Sequence, residues 1–405
     1  MSTSDPSDGT PATGPSPARP VVRRQSRTRT VAVILAIVVV LILVVVVVDQ
    51  LKLIPGSKTS TTSCPTGVTL QGEGAGLLLE IMSAWQSAYN SQTSNEVNYN
   101  DAGSGAGLTA IAAPTVDFAT SDNPPNATQT AQFKGPMLTL PIIGGAVAMV
   151  YNLPGLTKPV QLTGPLIADI YMGTITKWND PAIVSNNSGI TLPDDTILAV
   201  HRADAAGTTY VLTNMLSDDS PAWASGPGTG ESPIWPAISN SIGESKNSGV
   251  LSEIQSTPYA LGYVDLTDTL NAGVQYAKVL NPAGVFVLPN LADTESAITN
   301  VSLTTTFPAV TASWSGVSLV NSPGRGDYPL VTFAYFFVYQ SMNSGWTPSL
   351  QKSEVLLQWL HWVLTTGQDD AAENYYTPLP NSVVQLDQTG LGTVTYNGAG
   401  VPTCS

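Results

Sequence analysis

Residues Val31–Val48, VAVILAIVVVLILVVVVV, form an unbroken run of eighteen apolar residues with neither a charge nor a proline. As a helix, at about 1.5 Å per residue, the run is roughly 27 Å long, close to the thickness of a bilayer's hydrocarbon layer. Arg19, Arg23, Arg24, Arg27 and Arg29 precede it and Asp49 follows. Positive charge stays on the cytoplasmic side, so the flanks predict a single-pass anchor in the cell membrane, with a cytoplasmic N-terminus and an exported remainder. A cleaved signal peptide is the competing reading, but Asp49-Gln50-Leu51-Lys52-Leu53 lacks a small-x-small cleavage site. Cys64 stands too far from the run for a lipoprotein. Residues 1–30, rich in Pro, Ser, Thr and Arg, read as a disordered cytoplasmic tail, and 49–66 as a linker.

What lies beyond the anchor is acidic. The whole chain carries a net charge of −14, and from Thr61 onward it has six lysines and two arginines, Arg202 and Arg325. Nucleic-acid binding needs a basic footprint and is excluded on that ground. An anionic ligand would have to be held by a local set of N–H donors rather than attracted by net charge. Cys64 and Cys404 are the two cysteines and bracket the exported part. An oxidising compartment favours a disulfide between them, the alternative being two unpaired thiols in the chain ends.

Strand-like and helix-like patterns alternate along the exported part, the signature of an α/β fold. Leu78, Met82, Trp85 and Tyr89 recur at helical spacing. Strands are predicted at Val97–Asn100, Val116–Ala119, Gly145–Asn152, Leu198–Val200 and Val331–Tyr339. A helix is predicted from Ser353 to Thr366, and the tail from Gln388 to Ser405 reads as extended surface structure.

Three small-residue turns each follow a strand and open a helix: Gly72–Gly76, Gly103–Gly107 and Ala205–Thr209. Small residues let the N–H groups of a helix's first turn approach an anion closely. Each alone could be an ordinary tight turn. Arg202 precedes the third, and a guanidinium holds a tetrahedral oxyanion through two parallel hydrogen bonds. Asp204 could hold Arg202 in position; the plainer alternative is a surface ion pair. Asp122 is unexpected beside an anion unless that anion carries a proton, because an ionised carboxylate only accepts hydrogen bonds. Phosphate keeps a proton at neutral pH and sulfate does not, so such a residue would reject sulfate. Taken alone, Asp122 reads more simply as a turn or helix N-cap residue before Pro124-Pro125.

The runs Val97–Gly107 (VNYNDAGSGAG), Val116–Asp122 (VDFATSD) and Val200–Thr209 (VHRADAAGTT) resemble, in order and spacing, the signatures of the phosphate-binding protein (PstS) family of ABC importers. Ile175–Pro181 (ITKWNDP) resembles a further landmark of that family, and the similarity runs from about Val68 to Leu386. The resemblance implies a two-lobed, periplasmic-binding-protein-like (type II) α/β fold. Lobe 1 would be residues 67–141 with 331–405, and lobe 2 residues 142–330. It implies inorganic phosphate as ligand, the permease of an ABC importer as partner, a monomer, and neither cofactor nor metal. Carried across, Ser104 would donate a hydroxyl, Asp122 would accept the phosphate proton and Arg202 would pair with the oxygens. Gly207 and Thr208 would donate from the helix start, and Leu77 would give a backbone N–H. Gly76 and Ala206 stand where the family carries hydroxyl residues; each keeps its backbone N–H but loses a donor, unless Thr209 or water supplies one.

Two other function classes remain open in the sequence. A phosphatase-like enzyme would need an activated nucleophile or a metal cluster, and the chain offers only His201 and His361 and no such cluster. His361, between Leu360 and Trp362, reads as a packing residue, and His201 as either a neighbour of the anion site or a strand-end residue. A membrane-tethered oxyanion sensor or surface protein would keep the same fold without feeding a transporter.

Overall fold

The computed structural model describes residues 63–343 and 349–403. The apolar run 31–48 and Cys404 lie outside the described residues, and within them no helix is long and apolar enough to cross a membrane. Cys64 is disulfide-bonded.

The strands of the two sheets that concern the site are β1 (Thr69–Glu73), β2 (Glu96–Asn100), β3 (Phe118–Ser121), β4 (Met137–Tyr151), β5 (Gln161–Leu162), β6 (Leu198–Arg202), β7 (Ser241–Glu244), β8 (Ala260–Asp265), β9 (Gln275–Tyr276), β10 (Lys278–Leu280), β11 (Phe286–Val287) and β12 (Val331–Tyr339); three short strands, Ser341–Met342, Thr395–Tyr396 and Ala399–Gly400, make a third sheet. Nine of them form one sheet in the order β2-β1-β3-β12-β4-β8-β6-β7, with β9 also on β4. β5, β10 and β11 form a small sheet of their own. Strand β4 joins two halves. Its residues Met137–Ala146 pair with β12, and Val147–Tyr151 pair with β8. On one side β1 runs parallel to β2 and β3; on the other β6 runs parallel to β7 and β8. Ligands of parallel α/β sheets gather outside the carboxyl ends of the strands. Here those ends are Glu73, Asn100 and Ser121 in one half, and Arg202 and Glu244 in the other.

The α/β reading holds, with local corrections. β4 starts eight residues before the Gly145 start expected from sequence. Pro141 masks it, because a residue without an N–H argues against a central strand. The structure accommodates Pro141 opposite Tyr335, beside a register shift that leaves Ile142 outside the pairing. Gln388–Leu391, expected to be extended, ends a helix Asn381–Leu391 that buries Val383 and Leu391. The predicted Ser353–Thr366 helix spans Leu350–Val363 and gives way to a 3-10 turn from Thr366.

The main core fills the faces of both halves. A second, smaller core lies under the helix Lys246–Ser256, where Val250, Leu251 and Ile254 meet Ala148, Val150, Val200 and Val264. That helix stands directly after β7 and is seated by these apolar contacts, which fixes where its first residues, Lys246 and Asn247, can reach.

Candidate anion-binding site

The helices Ser104–Ala112 and Gly207–Asp219 begin at the strand ends, and no side chain caps either at Gly103 or Ala206. A helix leaves its first N–H groups without internal partners, so uncapped starts are donors in search of an acceptor. The two starts touch. A Cβ on Gly207 would fall 2.4 Å from Asp122 Cβ, and one on Gly103, at φ 102°, would fall 2.9 Å from the Ala205 carbonyl oxygen. Only glycine allows either approach.

Arg202, 3% exposed, is held from three sides. Its Nε donates to Asp204 Oδ1 at 2.8 Å, and Nη2 donates to Asp204 Oδ2. Nη1 donates to Asn247 Oδ1 at 2.7 Å and approaches Thr208 Oγ1 at 3.4 Å. Burial alone would raise the Asp204 carboxyl, but Arg202 and the Lys246 N–H overrule it and hold it below its ordinary value. Guanidinium has five N–H groups, so one on Nη2 and the one loosely directed at Thr208 remain for a ligand. Behind Arg202, its backbone N–H donates to Tyr263 Oη at 3.1 Å, and Tyr263 Oη lies 2.6 Å from Thr209 Oγ1. Thr209 Oγ1 thus shares a hydrogen bond with Tyr263 behind Arg202.

Asp122 is 1% exposed. Its N–H donates to Ser104 Oγ at 3.2 Å and its carbonyl accepts from Thr332 Oγ1 at 2.7 Å. The carboxylate's Oδ1 is buried without a hydrogen-bond partner. Burial pushes its pKa up to about 7; Arg202 opposes this and Glu231 adds to it. The next helix, Ala127–Thr130, is capped by Asn126, so Asp122 is not its cap.

Seven sequence-selected residues meet here: Ser104, Asp122, Arg202, Asp204, Ala206, Gly207 and Thr208. Gly76 is close by, with a would-be Cβ 3.7 Å from Asn247 Nδ2, which leaves room for a side chain. Leu77 is buried and its carbonyl accepts from Tyr376 Oη at 2.6 Å. His201 stacks on Trp235 with ring centroids 4.4 Å apart, and its Nδ1 lies 3.0 Å from the Arg202 carbonyl oxygen. His361 is half-buried on its helix.

Sequence reasoning passed over four residues. Asn247, besides accepting from Arg202, donates through Nδ2 to Asp265 Oδ2. Burial, then Asp268, push the Asp265 carboxyl well up. Glu231 gives its carbonyl to the Ala206 N–H at 3.0 Å, takes Gln129 Nε2 at 2.9 Å on Oε2, and keeps Oε1 buried without a partner. Tyr99 Oη reaches the Ala75 carbonyl and Thr120 Oγ1, each at 2.6 Å, and so fixes the turn before Gly76. Lys246 opens the helix that carries Asn247. The one signal available for Lys246 and Asn247 was a polar run, Glu244–Ser248, at a strand end.

Two half-sheets sharing one strand, with their carboxyl ends closed on each other, make this a periplasmic-binding-protein-like α/β protein. Residues 59–366 match the model of the PBP superfamily domain. The Phosphate-binding protein PstS of Xylella fastidiosa is 34% identical over 324 residues, covering 78% of this chain and 83% of that protein. That of Pasteurella multocida is 35% identical over 321 residues, covering 79% and 89%. The solved structure of a high-affinity periplasmic phosphate-binding protein (PfluDING) bound with phosphate aligns with a TM-score of 0.62 at 18% identity, over 83% of this chain and all of that one. A human phosphate binding apolipoprotein aligns with a TM-score of 0.63 at 17% identity, over 82% of this chain and 100% of its own. These two share the fold. The chain belongs to the PBP superfamily and, within it, to the family of PstS phosphate-binding proteins, as its motifs suggested.

Proposed function

We propose that this protein captures inorganic phosphate outside the cytoplasm and delivers it to the permease of an ABC importer. It acts as a monomer tethered by residues 31–48, and it binds its ligand without turning it over. Lobe 1 (67–141 with 331–405) and lobe 2 (142–330) close on the anion about strand β4. The observation that carries the reading is the buried, unpartnered Oδ1 of Asp122, beside Arg202 and the uncapped start at Gly207. Arg202 and the helix starts supply donors to the oxygens. In its ionised form Asp122 supplies only an acceptor, which a protonated oxyanion can use and a fully ionised one cannot. Ser104, Gly207 and Thr208 add donors, with Gly76 and Leu77 offering backbone N–H groups; the Ala206 N–H, expected from sequence to be another, is taken by the Glu231 carbonyl. The names of the sequence relatives support phosphate as that anion.

Calorimetric titration of the full chain tests this. Phosphate and arsenate are expected to bind and sulfate not to; equal binding of sulfate would reject it. For the anchor, mass spectrometry of the mature protein should find residues before Val31, and a mature N-terminus beyond Val48 would reject retention. The proposed Cys64–Cys404 bridge predicts no thiol labelling of the denatured, unreduced chain.

A further inference from the structure

Strands β2 and β7 lie at opposite ends of the nine-stranded sheet, yet the segments that leave them touch. Asp101 follows β2 and Lys246 follows β7, and Lys246 Nζ lies 2.7 Å from Asp101 Oδ1. Four ion pairs are formed among the described residues. The other three, Lys177–Asp194, Arg202–Asp204 and Lys352–Asp117, do not run from the strand ends of one half to those of the other. Lys246 also has φ 61°, in the left-handed region that side chains seldom adopt. Such a conformation persists where the surroundings over-determine it. Here they do. The Lys246 N–H donates at 3.1 Å to Asp204 Oδ1, the same oxygen that receives Arg202 Nε. The next residue, Asn247, is bonded to both Arg202 and Asp265. One strained residue therefore ties the arginine's support to the opposite half of the molecule. Arg202 and Asp122 are 3% and 1% exposed, so an anion reaches them only when the halves part.

We infer that Lys246 is a positioning residue that keeps the site shut on its ligand: opening must break its ion pair with Asp101, so this pair sets how fast the anion leaves. The inference rests on the anion-binding reading above. It concerns release more than entry, because the pair forms only once the halves have met.

Stopped-flow release of inorganic phosphate from the full chain, into a phosphate-trapping sensor, tests it with Lys246→Gly, Asp101→Asn and the double variant. Each single variant is expected to release phosphate about threefold to fivefold faster, the size expected of a partly exposed pair. Association should change by less than about twofold. The double variant should be no faster than either single one. Glycine adopts the φ of Lys246 freely, so the ligand-free melting temperature of Lys246→Gly should hold or rise. Unchanged release in both single variants, with normal phosphate binding, would overturn the clasp alone. Additive acceleration in the double variant, or faster release with a lowered melting temperature, would do the same. A wild-type chain that binds no phosphate would overturn the site reading and this inference with it.

Discussion

Asp122 and Asp327 are both buried aspartates at turns, and they are built in opposite ways. Asp327, 0% exposed, has every lone pair answered. It accepts from Ser296 Oγ at 2.7 Å, from Asn300 Nδ2 at 2.8 and 3.0 Å, from the Gly324 N–H at 2.9 Å, and from Ser322. Burial would raise its carboxyl, but those hydroxyl, amide and backbone donors overrule it and hold it below its ordinary value. Asp122 has an unanswered oxygen and a pKa near 7. A carboxylate that closes a loop brings its donors with it. One that waits for a ligand lacks a donor the ligand must supply, and the fold bears the cost while the site is unfilled.

The largest effect expected is at the cation that offsets Asp122. Arg202→Ala leaves Asp122 and Asp204 without their counter-charge and should abolish measurable phosphate binding by calorimetry, a loss of several kcal/mol. Unchanged affinity would move the site elsewhere. Asp122→Asn keeps the shape and supplies a donor, so the sulfate-to-phosphate affinity ratio should rise about 100-fold, from a penalty of roughly 2–3 kcal/mol removed.

The same variant has a pH signature. The folded pKa of Asp122 is raised, so its stability contribution is fully present below about 4 and lost as pH rises through about 7. The ligand-free melting temperature should fall across that window in the wild type, and less so in Asp122→Asn. Asp327→Ala should instead lower stability by about 2–4 kcal/mol while leaving phosphate affinity untouched, read by denaturant unfolding and titration. If it alters affinity, the two aspartates are not separable. The smallest effect is expected from Gly76→Ser. Room exists beside Asn247, and a restored hydroxyl should tighten phosphate by about tenfold, the worth of one hydrogen bond to a charged group.

The contrast also explains what the sequence could and could not disclose. Arg202 and the small-residue turns were legible because their chemistry is local: a lone arginine at a strand end and an uncapped helix start mean much the same in any fold; Asp122, a turn residue when read alone, stood out through the resemblance carried by Val116–Asp122. Asn247 and Glu231 carry no such mark. An amide or carboxylate in a polar turn acquires its role only when Arg202 or Ala206, distant in sequence, is brought against it. Asp327 was equally invisible, since its donors come from the Leu291–Thr304 helix and its own loop. The early part of β4 was lost for the opposite reason: Pro141 gives a strong local signal, and tertiary pairing overrides it.

Strand β12 sits between β3 and β4 in the sheet, although almost half the chain separates it from β4 in sequence. A chain emerging from the ribosome or a translocation pore N-terminus first would present β1 to β4 long before the strand that joins them. Until Val331–Tyr339 arrives, the facing edges of β3 and β4 have open backbone groups and are prone to mispairing. A nascent chain stopped short of Val331 would lack the neighbour that places Asp122 against Thr332. The half of the molecule that begins first in synthesis is thus the half that must be completed last.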